Sequence, residues 1–299
     1  MLPNQTKKSN LNNGQKYMSK LKVAELFYSV QGEGRYMGVP SVFLRVFGCN
    51  FKCAGFGMPR GETSNEVEDI AQVVHMFDDY KQLPLVSTGC DSYASWDPRF
   101  KHLSPMLDTD AIALQIMDIL PHKGWQDEHL VITGGEPLLG WQRQYPDLLD
   151  HPAMQELKEI TFETNGTQKL TDDFKKYLFK WRNQNKQREI TFSVSAKLPA
   201  SGESWEEAIQ PKVVCEYEWF GTAYLKFVVA TEQDIADAER AVKEYRAAGF
   251  VGHIYLMPVG GVESVYTLNA KNVAIAAMKR GWRYSDRLQV PLFKNEWGT

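Results

Sequence analysis

Seven apolar, β-rich runs separated by stretches of helical period occupy the chain from residue 21 onward, and that alternation limits the fold more than any other feature. The runs cover 42–46, 130–133, 160–163, 190–194, 225–229, 254–257 and 287–290. Between them, helical spacing recurs as Ile112, Ile116, Ile119 and Leu120, then as Phe174, Leu178 and Trp181, then as Ile235, Val242 and Tyr245. The third helix opens on Thr231 with Asp234 three residues on, a capping pattern, and closes near Gly249. Another covers 273–280 and stops at Gly281. Strands alternating with helices predict an α/β fold, a parallel sheet with crossover helices. An open or incomplete barrel and a doubly wound sheet both accommodate seven strands; periodicity does not choose.

No internal repeat or low-complexity linker divides the 299 residues, so 21–299 is expected to form one domain behind a frayed, polar, Asn- and Lys-rich leader at 1–20. The segment 56–89 stands apart. It opens on the turn-rich Gly57-Met58-Pro59-Arg60-Gly61 and then carries a helix with Ile70, Val73, Val74 and Phe77 on one face.

Charge and cysteine usage narrow the function. The 34 basic residues nearly balance 37 acidic ones, for a net charge of −3, which argues against a nucleic-acid or membrane surface held by bulk electrostatics. No apolar run reaches the roughly 20 residues that span a bilayer, and the leader lacks the apolar stretch of a secretory signal. Cysteines at 49, 53, 90 and 215 are too few for a disulfide framework. They are therefore expected as reduced thiols in the cytoplasm.

Cys49 and Cys53 sit in Gly48-Cys49-Asn50-Phe51-Lys52-Cys53, directly after the run 42–46, and Cys90 follows in Thr88-Gly89-Cys90-Asp91-Ser92. Loops at the C-terminal ends of parallel strands are where such folds hold ligands. Three thiolates suit three irons of a cubane cluster, leaving the fourth iron open, and suit a zinc site equally. Cys215 lies in an apolar run away from any Gly-rich turn and is expected to be buried and inert. The six histidines show no metal-type pairing and are expected at the surface or in the core.

The cysteines have company. The run 130–133 leads into Thr133-Gly134-Gly135-Glu136-Pro137. Cys-x3-Cys, a later Cys and this turn together resemble the radical S-adenosylmethionine superfamily. The usual position of the third cysteine is Phe56 here, so the resemblance implies that segment 56–89 is an insertion which displaces the third ligand to Cys90. A narrower resemblance, to the 7-carboxy-7-deazaguanine synthase family, runs from Leu26 to the C-terminal region. It rests on 27–34 (Phe-Tyr-Ser-Val-Gln-Gly-Glu-Gly), 38–40, 43–45, Glu163-Thr164-Asn165-Gly166-Thr167, 193–197, 226–228, 256–258 and 282–289.

The resemblance implies an incomplete parallel β/α barrel with Cys49, Cys53 and Cys90 holding a 4Fe-4S cluster. Gly134, Gly135 and Glu136 would receive the methionyl end of S-adenosylmethionine, the glycines because a ligand can approach where Cβ is missing. Ser195, Ala196 and Lys197 resemble the family's Ser-Pro-Lys, with Ala196 in place of Pro, and would meet its ribose and carboxylate; Met257, Pro258, Val259 and Gly260 would meet its adenosine. Val30, Gln31, Gly32, Glu33, Arg45 and Thr133 would contact a pterin, whose edge an amide and a carboxylate can read and whose carboxylate suits a guanidinium fork. Ser92, where the family has Thr, would bind Mg²⁺, with Asp91 the other ligand available.

The implied activity is conversion of 6-carboxy-5,6,7,8-tetrahydropterin to 7-carboxy-7-deazaguanine with loss of ammonia, as in queuosine-type biosynthesis. A homodimer, a flavodoxin- or ferredoxin-type electron donor and no direct contact with nucleic acid or membrane complete the expectation. Two competing readings are another radical enzyme of the superfamily, such as an activator of a glycyl-radical protein, and a zinc-stabilised nucleotide- or RNA-binding module.

Overall fold

The computed structural model describes residues 19–299; most of the leader expected at 1–20 lies outside them. Nine strands form one sheet among these residues, in the order β3-β1-β2-β4-β5-β6-β7-β8-β9, and it does not close on itself. They are β1 (Lys20–Val30), β2 (Pro40–Val46), β3 (Met106–Asp108), β4 (His129–Gly134), β5 (Glu159–Thr164), β6 (Glu189–Val194), β7 (Thr222–Val229), β8 (Ile254–Pro258) and β9 (Arg283–Tyr284). From β2 through β9 every pairing is parallel, while β1 runs antiparallel to both of its neighbours. The parallel alternation was legible in the sequence. The antiparallel strands β1 and β3 were not, because most of β1 is only partly buried and its side chains mix polar with apolar.

The helices are α1 (Glu66–Gln72), α2 (Thr109–Ile119), α3 (Tyr145–Leu149), α4 (Asp172–Asn183), α5 (Trp205–Ala208), α6 (Pro211–Tyr217), α7 (Glu232–Ala247), α8 (Glu263–Lys279) and α9 (Gln289–Phe293). None is long and apolar enough to cross a membrane. The capping box of α7 is present as expected: Asp234 N–H donates to Thr231 Oγ1, and the Asp234 carboxylate accepts the Thr231 N–H. Helix α8 starts ten residues before the expected 273, since its first turns are largely solvated and carry no apolar stripe. In the 56–89 segment α1 ends at Gln72, and Val73, expected on an apolar face, is exposed.

The run 287–290 is a correction. It was expected as a strand, but β9 lies four residues earlier and Gln289 already begins α9. Pro291 has no N–H to offer a ladder, and the Arg287 side chain is drawn to three acceptors off the sheet.

Side-chain alternation along the strands positions the site. Leu44, Ile132, Phe162, Phe192, Leu225 and Phe227 pack into the main core with helix residues such as Ile116, Leu178, Trp181, Tyr245 and Val273. The intervening positions Arg45, Thr133, Glu163, Ser193 and Lys226 line a cavity instead. A second, smaller core lies beneath the 56–89 segment, where Tyr80, Leu83 and Val86 pack with Tyr93, Phe100 and Ala24 of β1. Trp297 joins it edge-on to Tyr80 and Tyr93 at 5.3 and 5.7 Å, its indole N–H donating to Leu83 O at 2.9 Å.

One histidine is a core residue of consequence. His129, fully buried at the start of β4, meets Ser41 Oγ at 3.3 Å and Thr161 Oγ1 at 2.8 Å, with the Tyr36 ring 4.3 Å away. Burial pushes its pKa down to about 3 from 6.5. The unfolded chain therefore binds the extra proton first, and stability falls as pH drops below 6.5 towards 3. At pH 5 the loss attributable to this group is about 2 kcal/mol relative to pH 7.5. Denaturant midpoints of the wild type and His129→Gln at the two pH values measure it. Equal pH sensitivity in both proteins rejects the assignment.

Candidate functional site

The loops after β2, β4, β5, β6 and β8 meet at one end of the sheet around a cavity of about 250 Å³. Cys49, Cys53 and Cys90 all line it, so the fold brings the three together although the 56–89 segment separates the third in sequence. All four cysteines are free thiols. Burial pushes the Cys49 thiol up to about 12 and raises Cys53 and Cys90 as well. Such thiols ionise only against a strong positive charge, which is what a metal centre supplies. The Phe51 N–H points at Cys49 Sγ from 3.4 Å, and the Lys197 ammonium acts on all three sulfurs. Among the described residues no three His, Cys, Asp or Glu side chains gather closely enough to share one ion. A tetrahedral zinc site needs thiolates about 4 Å apart, whereas ligands on different irons of a cluster stand further apart. Three free thiols on one cavity wall are the donor set that three irons of a cluster take. Cys215, expected to be buried, is only half-buried on α6, with Sγ 3.5 Å from Ala248 O, and lies outside the cavity.

The glycines after β4 work differently from the expectation. A Cβ on Gly134 would sit 2.1 Å from Val46 O, and one on Gly135 2.4 Å from Gly48 O and 2.7 Å from the Cys49 Cβ. The space that side chains would need is filled by the cysteine loop itself, so these residues let β4 clamp that loop. Gly135→Ala is expected to cost about 1–3 kcal/mol through overpacking and to lower the iron bound per chain after anaerobic reconstitution. An unchanged melting temperature with full iron content refutes the clamp.

Gly134 and Gly135 line the cavity, but Glu136 does not. Its carboxylate is fully buried behind the turn, accepting from Thr164 Oγ1 at 2.8 Å, Asn165 N at 2.7 Å and Leu138 N at 3.0 Å. Burial lifts its pKa to about 7 against those hydrogen bonds. Ser195 and Lys197 face the cavity, with Lys197 Nζ donating to Ser195 Oγ at 2.9 Å, while Ala196 turns into the core. Met257, Val259 and Gly260 line the wall; Pro258 does not.

Val30, Gln31, Gly32, Glu33, Arg45 and Thr133 all line the cavity. Gln31 Nε2 donates to Glu163 Oε1 at 3.1 Å, and Thr133 Oγ1 to Glu163 Oε2 at 3.0 Å. Glu33 is not left open to read a ligand edge. Its carboxylate takes Lys226 Nζ on one oxygen, and Arg287 Nε at 3.2 Å and Gln289 Nε2 at 2.9 Å on the other. Burial alone would raise its pKa, yet Lys226 and Arg287 hold it down at about 2. Arg45 donates through Nε to Glu25 at 2.9 Å and through Nη1 to Ser92 Oγ at 3.1 Å.

Ser92 and Asp91 also line the cavity, but the arrangement does not suit a hard cation. The Ser92 hydroxyl faces a guanidinium, and Asp91 accepts from Arg287 Nη2 at 2.5 Å.

Among the lining residues that sequence reasoning left without a role are Glu163, Ser193, Lys226, Arg287, Gln289 and Trp96. A signal existed for Lys226, a lysine flanked by Leu225 and Phe227 in an apolar strand, only 4% exposed here. Arg287 had none, because it reaches Glu33, Asp91 and Gly260 O, three partners distant in sequence. Ser193 Oγ and Gln289 Oε1 are buried without a hydrogen-bond partner. Unpaired buried polar atoms on a cavity wall call for a polar ligand.

No family model matches the chain. It is 28% identical over 284 residues to the 7-carboxy-7-deazaguanine synthase of Halobacterium salinarum, covering 92% of this chain and 91% of that one. It is 25% identical over 283 residues to the protein of the same name from Pyrobaculum aerophilum, covering 93% and 97%. The crystal structure of QueE from Escherichia coli superposes over 90% of this chain and 94% of that one with a TM-score of 0.49 at 19% identity, too loosely to add an argument.

Proposed function

This chain belongs to the 7-carboxy-7-deazaguanine synthase family, and from that premise we propose that it converts 6-carboxy-5,6,7,8-tetrahydropterin to 7-carboxy-7-deazaguanine with release of ammonia. The observation that carries the reading is one cavity in which three free thiols share the wall with Gln31, Arg45, Glu163, Ser193 and Lys226. We read 21–299 as a single cytoplasmic catalytic domain, with 56–89 inserted between the second and third cluster cysteines. A flavodoxin- or ferredoxin-type donor and homodimerisation belong to the same proposal.

Cys49, Cys53 and Cys90 would hold a 4Fe-4S cluster and leave one iron for S-adenosylmethionine. Together those groups, when bound and reduced, supply a carbon radical able to take a hydrogen atom from C6 of the pterin. The protein's task is placement. Ser195 and Lys197 offer a hydroxyl and an ammonium to the cofactor's polar ends, beside the backbone of 257–260. Glu163, already oriented by Gln31 and Thr133, offers its carboxylate to the N–H groups of the pterin edge, with Ser193 Oγ and Gln289 Oε1 available beside it. Arg45 and Lys226 supply positive charge for the substrate carboxylate. Held this way, C6 meets the radical in one geometry and water is kept out.

The test is anaerobic turnover by iron-reconstituted protein with dithionite, S-adenosylmethionine, Mg²⁺ and 6-carboxytetrahydropterin, read by mass spectrometry. Formation of 5′-deoxyadenosine with 7-carboxy-7-deazaguanine is expected. Formation of 5′-deoxyadenosine alone rejects the substrate, and neither product from iron-loaded protein rejects the chemistry.

A further inference from the structure

Trp96 carries a buried donor that the site as described leaves unused. It lies just past Cys90, after a tight turn in which the Trp96 N–H donates to Tyr93 O at 3.2 Å, and its ring packs against the small core under the 56–89 segment. The indole nitrogen is shielded from solvent and has no hydrogen-bonding partner among the described residues. An N–H in that position is costly unless something accepts it. Trp96 and Cys90 stand together on the wall of the main cavity, and together again on the wall of a second pocket of about 70 Å³ behind it. Among the described residues only Gly89, Cys90 and Trp96 line both walls, and of their side chains the Cys90 sulfur is the one that can accept.

We propose that the Trp96 indole N–H donates a hydrogen bond to the Cys90 thiolate and thereby raises the reduction potential of the cluster held there. The inference rests on the reading of Cys90 as a cluster ligand. The other ligands are served differently. Cys49 receives a backbone N–H from Phe51 at 3.4 Å, and Cys53 has its own N–H committed to Glu203 at 2.7 Å and feels the Lys197 charge. Reduction moves one electron from an external one-electron reductant, a flavodoxin- or ferredoxin-type protein or dithionite, into the cluster; no bond forms or breaks. The added negative charge spreads onto the thiolate sulfurs, so a donor aimed at one of them stabilises the reduced state.

Full-length protein is reconstituted anaerobically with iron and sulfide, and reduced cluster is followed by EPR in a mediated redox titration. Trp96→Phe keeps an aromatic ring and removes the donor; Trp96→His keeps a ring N–H; Trp96→Leu is a second donor-free variant should the Phe protein fail to load iron. The donor-free protein is expected to show a roughly tenfold lower ratio of reduced to oxidised cluster at fixed potential, a midpoint more negative by about 59 mV for one electron, with His closer to wild type. A wild-type midpoint in an iron-loaded donor-free variant overturns the proposal. A wild-type protein that binds no iron instead overturns the ligand reading, and the two failures are told apart by iron content alone.

Discussion

Cys90→Ala will reduce turnover by roughly a thousandfold or more, at least about 4 kcal/mol of barrier, whereas Cys215→Ala will leave it unchanged. The sequence already sets the two cysteines apart by their surroundings, and the fold separates them. Cys90 closes the cavity wall beside Cys49 and Cys53, packed in a small cluster with Phe51, Phe56 and Ala208. Cys215 is out on α6, with its sulfur against the Ala248 carbonyl. Anaerobic turnover, together with iron per chain and the cluster's visible absorption, measures the contrast. Substantial activity in an iron-reconstituted Cys90→Ala protein would remove the 56–89 segment as the explanation for the displaced cysteine.

Arg287→Met is expected to destabilise the protein by about 3 kcal/mol, the lower end of the range for breaking a buried ion pair. Arg287 is 8% exposed, and its guanidinium joins Glu33, Asp91 and the Gly260 carbonyl. Removing it leaves Asp91 without its cation; Glu33 keeps Lys226, which is why the upper end of the range does not apply. For a chain this size about 3 kcal/mol corresponds to a fall of roughly 6–12 °C in melting temperature. Arg287→Lys keeps the charge but loses the planar fork that reaches three acceptors at once, so it should recover only part of the loss. A melting temperature within two degrees of wild type in the Met variant rejects the bridging role.

Much of this protein is legible in its sequence. The helix cap at Thr231, the parallel strands, the cysteine loop after β2 and the Gly-Gly turn after β4 are short-range patterns, written in adjacent or periodic residues. Readings failed where a residue's role depends on what stands opposite. The run 287–290 has the apolar look of a strand, yet Arg287 belongs to a buried charge network and Gln289 opens α9. Gly134 and Gly135 look like room for a ligand, yet the neighbouring cysteine loop fills that room. Glu136 looks like a ligand contact, yet it is tied to the end of β5.

The sequence by itself determined the strand–helix alternation, the reduced cysteines, the resemblance and nearly all the segments that wall the cavity. Those properties follow from local periodicity and from residue types that few other chemistries require. Only the tertiary structure decided that Cys90 stands on one cavity wall with Cys49 and Cys53, and that Glu33 is held by Lys226 and Arg287. Each of those facts is a contact between parts of the chain far apart in sequence, and a contact energy belongs to the pair, not to either residue's pattern.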